Sequence, residues 1–156
     1  MRKAKASAKS KPAARRRAPH VDIAGLARFF AQQPDVVLAY LFGSVARGQG
    51  DHFSDVDVAV LFDARVDAMR RGELRLEYAL ALGAYANRDV QVVSLASASP
   101  VLKMQVLREG RLLYERTPME RITFEVRAAK VYYDTQPLRD FQRKVLFTEG
   151  GLSGHR

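Results

Sequence analysis

Asp55 and Asp57, with a single valine between them, open a run that alternates through Phe62. If that run is a strand, side chains two apart leave the same face, so both carboxylates project together, only a few ångströms from each other. Two such acids repel unless a cation sits between them. An oxygen-only pair suits Mg²⁺, which takes few carboxylates and completes its octahedron with water and substrate phosphate. Asp89 heads the next apolar run and reaches the same edge if that run pairs with the first. Upstream, Gly43 and Ser44 follow a wholly apolar stretch. A glycine there lets the backbone approach a ligand, and successive N–H groups of such a turn receive phosphate oxygens, with the Ser44 hydroxyl as a further donor. Arg47 faces the same anion if residues 44–47 make one helical turn. The combined chemistry is phosphoryl transfer without a protein nucleophile. In a two-metal scheme the ions stand roughly 3.5–4 Å apart. Asp55 and Asp57 bridge them, and Asp89 serves the nucleophile's side as metal ligand or proton acceptor.

The surrounding sequence supplies elements to position these groups. Asp22 caps a helix whose apolar face is Ile23, Leu26, Phe29 and Phe30, and Pro34 ends it. Val36 to Phe42 reads as a buried strand, Val56 to Phe62 as an alternating one, and Asp89 to Leu95 as a third. Between the last two, Arg65 to Asn87 is rich in helix formers, with Leu76, Ala79, Leu80 and Gly83 on one face. Pro100 starts a helix through Arg108 that Gly110 stops, and Arg111 to Glu115 makes a short edge strand. Thr117, Pro118 and Glu120 spell a capped helix start. Met119, Ile122, Val126, Ala129 and Tyr133 then form one apolar stripe, read as core rather than interface, with Phe124 or Tyr132 left to offer a partner. Pro137 breaks this helix, and a short amphipathic piece containing Leu138, Phe141 and Val145 follows.

Composition sets the outer limits. The chain has 156 residues, 47% of them apolar, and no cysteine, which excludes disulfides, thiolate metal sites and a cysteine nucleophile. It has no apolar run long enough to span a membrane and no secretory leader pattern, so the expected location is the cytoplasm. The net charge of +9 suggests nucleic-acid binding until it is placed along the chain: residues 1–20 carry eight basic side chains and no acid, leaving 18 basic against 17 acidic residues in 21–156. We expect 1–20 to be a disordered basic arm, a solubilising extension with at most weak nucleic-acid contact. The expected organisation beyond it is a core at 21–116, C-terminal helices at 117–147 packed on the core or on a partner, and a flexible tail at 148–156. His52, inside the loop before Asp55, is read as solvated rather than catalytic.

Gly43-Ser44, ten intervening residues, then Asp55-Val56-Asp57 resembles the signature of DNA-polymerase-β-like nucleotidyltransferases. With Arg47-Gly48 and Ser54 included, it is similar to the minimal nucleotidyltransferase (MNT) branch, in which a later strand supplies a third acid that Asp89 matches. The likeness is strong over 36–95 and softer over 96–135, where LREGRLLYE and the capped helix look like the tail of MNT antitoxins paired with HEPN-domain ribonuclease toxins. The resemblance implies an α/β fold with a mixed sheet flanked by helices, ATP as substrate, and Mg²⁺, two ions, as cofactor. It implies nucleotide binding by Gly43, Ser44 and Arg47, catalysis and metal binding by Asp55, Asp57 and Asp89, and AMP transfer to a tyrosine hydroxyl of a partner HEPN toxin. Two rivals stand beside it. One is adenylyl transfer to a small molecule of the aminoglycoside type, which needs a substrate-binding domain larger than the residues after 116 allow. The other is a non-enzymatic antitoxin acting by contact alone, against which the acid trio argues.

Overall fold

The computed structural model describes residues 20–51 and 53–149. Asp22 caps α1 (Ile23–Ala31) by accepting the Gly25 N–H at 2.9 Å. The chain then builds β1 (Val36–Phe42), a one-turn helix α2 (Gly43–Ala46) and β2 (Val56–Phe62). Next come α3 (Ala68–Ala86), β3 (Val90–Ser94), α4 (Pro100–Glu109), β4 (Arg111–Glu115), α5 (Pro118–Asp134) and α6 (Gln136–Glu149). The strands form one mixed sheet in the order β3-β2-β1-β4, with β1 antiparallel to both neighbours and β2 parallel to β3. The parallel pair needs a crossover, which α3 provides.

Period-2 alternation along β2 assigns its residues to two layers. Val56, Val58, Val60 and Phe62 pack with Leu26 and Phe30 of α1 and Leu74, Tyr78 and Leu82 of α3. On the opposite face Ala59 and Leu61 join Leu38, Tyr40 and Phe42 of β1 beneath Val106 of α4 and Phe124 of α5. All seven residues of β1 are buried, so the wholly apolar run reflects a central strand covered on both sides. Asp57 lies on the second face, at the end of the row that continues through Ala59 and Leu61. Among the described residues no helix is long and apolar enough to cross a membrane.

Two sequence expectations are corrected by packing. In α3 the buried face is Leu74, Tyr78, Leu82 and Ala86; of the expected face, Leu76 and Leu80 point outward, Leu80 being 84% exposed, and Ala79 packs at the edge of the core. The stripe on α5 likewise faces away from the core: Met119 is 71% exposed, and Ile122, Val126 and Tyr133 are exposed too. That helix meets the sheet through Phe124 instead and buries Ala128, while its Glu125 accepts the hydroxyl of buried Tyr40 at 3.1 Å and is paired with Arg121. A polar pair on the inward side broke the apolar periodicity there. As expected, the helix breaks near Pro137: α5 ends at Asp134, and Pro137 sits in the first turn of α6, where proline's missing N–H is harmless. Residues 1–19 of the expected arm, His52 and residues 150–156 of the expected tail lie outside the described residues, whereas residues 148–149, expected in that tail, complete α6.

Candidate active site

Gly43 leaves β1 at φ +76°, a backbone conformation that side chains disfavour. A Cβ at this position would overlap the Asp57 carboxylate oxygen Oδ2. Glycine is therefore required twice, by its own backbone and by the acid it touches. The register explains the meeting: Phe42, the last residue of β1, pairs with Asp57 on β2, so the turn that follows β1 starts beside the second aspartate. Sequence spacing suggested that the two halves belong together, and this contact joins them. The turn α2 closes through the Arg47 N–H to the Gly43 carbonyl and the Gln49 N–H to the Ser44 carbonyl. Its leading N–H groups have no carbonyl of the same turn to bond, which is the arrangement that receives an anion.

Asp57 is half-buried and Asp55 exposed. Burial, and then the Asp55 charge, push the Asp57 carboxyl above its ordinary range. Such a pair, with only oxygen donors, fits a hard divalent cation, which would remove the repulsion. Asp89 stands beside Asp55 along the sheet, because the Val56 N–H donates to the Asp89 carbonyl at 3.0 Å and the β2–β3 register continues from Val56 opposite Val90. Its side chain is exposed. Among the described residues, no three carboxylates or imidazoles come close enough to hold a metal ion, so the three acids share an edge without forming a closed cluster.

Arg47 is exposed and holds Glu109, at the end of α4, through an ion pair of 2.9 Å. The helical turn expected over 44–47 lies at Gly43–Ala46 with Arg47 as its C-cap, and the guanidinium is engaged with a carboxylate. Sequence reasoning passed over Arg88. Its guanidinium donates to the carbonyls of Asp51 and Ser54, each at 2.9 Å, and so fixes the loop that delivers Asp55. Inside that loop Asp51 accepts the Ser54 hydroxyl and the Phe53 N–H, and these bonds, the hydroxyl first, hold its carboxyl below the usual range. The signal was an arginine immediately before Asp89, which reads as turn chemistry until the neighbouring strand is in place.

Comparison with known proteins agrees with this geometry. Residues 25–119 match the family model described as polymerase beta, nucleotidyltransferase. The chain is 38% identical over 106 residues to the protein adenylyltransferase MntA of Shewanella oneidensis, covering 68% of this chain and 73% of that protein. It is similar in structure to a toxin–antitoxin complex with AMP-PNP, at TM-score 0.63 and 34% identity over 81% of this chain and 96% of that one. A second similar structure holds a tri-AMPylated Shewanella oneidensis HEPN toxin with its MNT antitoxin, at TM-score 0.63 and 28% identity over 81% and 96% of the two chains. A glycine turn set against paired acids, on a mixed sheet with this family match, identifies the chain as a member of the polymerase-β nucleotidyltransferase family.

Proposed function

We propose that this chain transfers AMP from ATP to a tyrosine hydroxyl of a partner HEPN-domain ribonuclease toxin and so acts as its antitoxin. The observation that carries the chemistry is the contact between Gly43 and Asp57, which sets a phosphate-binding turn against a pair of acids. Likeness to MntA, and to complexes containing AMP-PNP or an AMPylated HEPN toxin, supports the donor and the acceptor.

The Gly43 and Ser44 N–H groups and the Ser44 hydroxyl hold the triphosphate. Asp55 and Asp57 would hold Mg²⁺, and Asp89 would extend the acid edge toward the incoming hydroxyl. Bound Mg²⁺ supplies neutralisation of phosphate charge and acidification of a nearby hydroxyl. The tyrosine oxygen bonds to the α-phosphorus while that phosphorus loses its bond to the bridging oxygen, and pyrophosphate departs. Asp89 accepts the hydroxyl proton. Arg47 exchanges Glu109 for the departing pyrophosphate, a planar donor meeting phosphate oxygens. The reaction belongs in the cytoplasm, where ATP is at hand, and it assigns no part to residues 1–20.

The test is transfer of label from α-labelled ATP to the purified toxin. Label should appear on tyrosine with the wild-type chain and be lost with Asp55→Ala/Asp57→Ala, whose fold is checked by circular dichroism. Persistent transfer by the double variant would refute the assignment.

A further inference from the structure

The second face of the sheet is not fully covered beyond α4. At the end of β2 remote from Asp57, a groove of about 580 Å³ opens over Leu61 and Val37, walled by Phe124 and Met119 of α5. A smaller hollow of about 100 Å³ continues it along α5, past Phe124 and Arg127 to Val131 and Lys103. Phe124 and Arg127 line both, so the two form one furrow with an apolar floor.

Its rim is cationic. Asp63 and Glu120 also line it, but both are bonded to Arg116, and Asp63 additionally to Arg65. Arg71, Lys103 and Arg127 have no ion-pair partner among the described residues. Three unmatched cations over an apolar floor are complementary to a segment that carries acids beside apolar anchors. A bare polyanion such as RNA would leave the floor unused.

The furrow also has a place relative to the active site. Leu61 and Asp57 lie on the same face of β2, four residues apart, a separation of about 13 Å at about 3.3 Å per residue. A protein anchored at one end can hold a side chain at the other, raising its local concentration.

From these observations we propose that the furrow along α5 is the docking groove for an acidic, apolar-anchored segment of the protein acceptor. This rests on the reading that the acceptor is a HEPN toxin. The furrow selects the protein and the Asp55–Asp57 edge carries out transfer.

The experiment measures AMP transfer to the HEPN toxin by the full chain and by Arg71→Glu/Lys103→Glu/Arg127→Glu, at low and physiological salt. We expect the charge-reversed chain to raise KM for the toxin at least tenfold, to keep kcat within about twofold, and to lose most of the salt dependence of kcat/KM. Arg71→Lys/Arg127→Lys should keep the wild-type KM, and unchanged ATP binding by the reversed chain shows its fold intact. An unchanged KM and salt dependence, with wild-type transfer intact, would overturn the docking groove and leave the proposed function standing. Competition by a single-stranded RNA that needs the same three cations, with no change in toxin KM, would overturn it too. Absence of transfer by the wild-type chain would overturn the proposed function and this inference together.

Discussion

Replacing Asp57 with asparagine should make the nucleotide-free protein more stable while abolishing transfer. Asparagine keeps the shape of the side chain and removes a half-buried charge that stands beside Asp55. Two residues of strand separate the pair by about 6.6 Å, using about 3.3 Å per residue. Two unit charges at that distance repel by about 2.5 kcal/mol at an effective dielectric constant of about 20. A Debye length of about 8 Å at physiological ionic strength reduces this to about 1 kcal/mol. For a chain of this size the corresponding gain in Tm is about 2–4 °C. The assay is thermal unfolding followed by circular dichroism, without metal or nucleotide, across salt concentrations. The gain should shrink as salt rises. It should also shrink on acidification: a raised native-state pKa means that the folded protein gains stability as pH falls through it, and the variant lacks this gain. Equal or lower stability of Asp57→Asn at neutral pH and low salt would refute the argument that this acid pair is held under repulsion.

Other substitutions probe the supports of the site. Gly43→Ala should cost about 2 kcal/mol or more, from its left-handed backbone and its overlap with Asp57, and should eliminate ATP binding measured by calorimetry. Arg88→Ala removes two bonds to the loop before Asp55; Tm should fall modestly, by about 1–2 kcal/mol equivalent, while kcat drops at least tenfold. Arg65 and Arg116 hold the Asp63 carboxyl well below the usual carboxylate range, so its stabilising contribution is present above about pH 4 and is lost as pH falls toward the native value. Acid titration of Asp63→Asn should therefore show a flatter stability profile below that pH than the wild type.

Much of this arrangement was legible in the residues. Strands Val36–Phe42, Val56–Phe62 and Arg111–Glu115 have the bounds that apolar runs and flanking glycines indicate, because central strands need continuous burial and edges need a stop. The helix starts read at Asp22 and Thr117 each have a side chain accepting an N–H three residues on, and the one read at Pro100 is capped in the same way by Ser99, which the sequence reading did not single out. The outward faces of α3 and α5 were not legible. Leu76 and Leu80, like Met119 and Val126, have helical spacing, but a spacing identifies a face without saying what lies opposite. Inward Arg121 and Glu125 disguised the packed side of α5, since their role depends on Tyr40, far away in sequence. At the site, the acids and the glycine turn were visible as types and spacing. The close approach of Gly43 to Asp57, the hold of Arg88 on its loop and the ion pair of Arg47 with Glu109 depend on strand register, which spacing alone does not give.

The most direct measurement is the intact mass of the HEPN toxin after co-expression with this chain, compared with co-expression alongside Asp55→Ala/Asp57→Ala. Adenylyl increments on a toxin tyrosine with the wild type, absent with the double variant whose cells succumb, are the predicted result. Toxin of unmodified mass in cells that survive with either form would contradict neutralisation by AMP transfer.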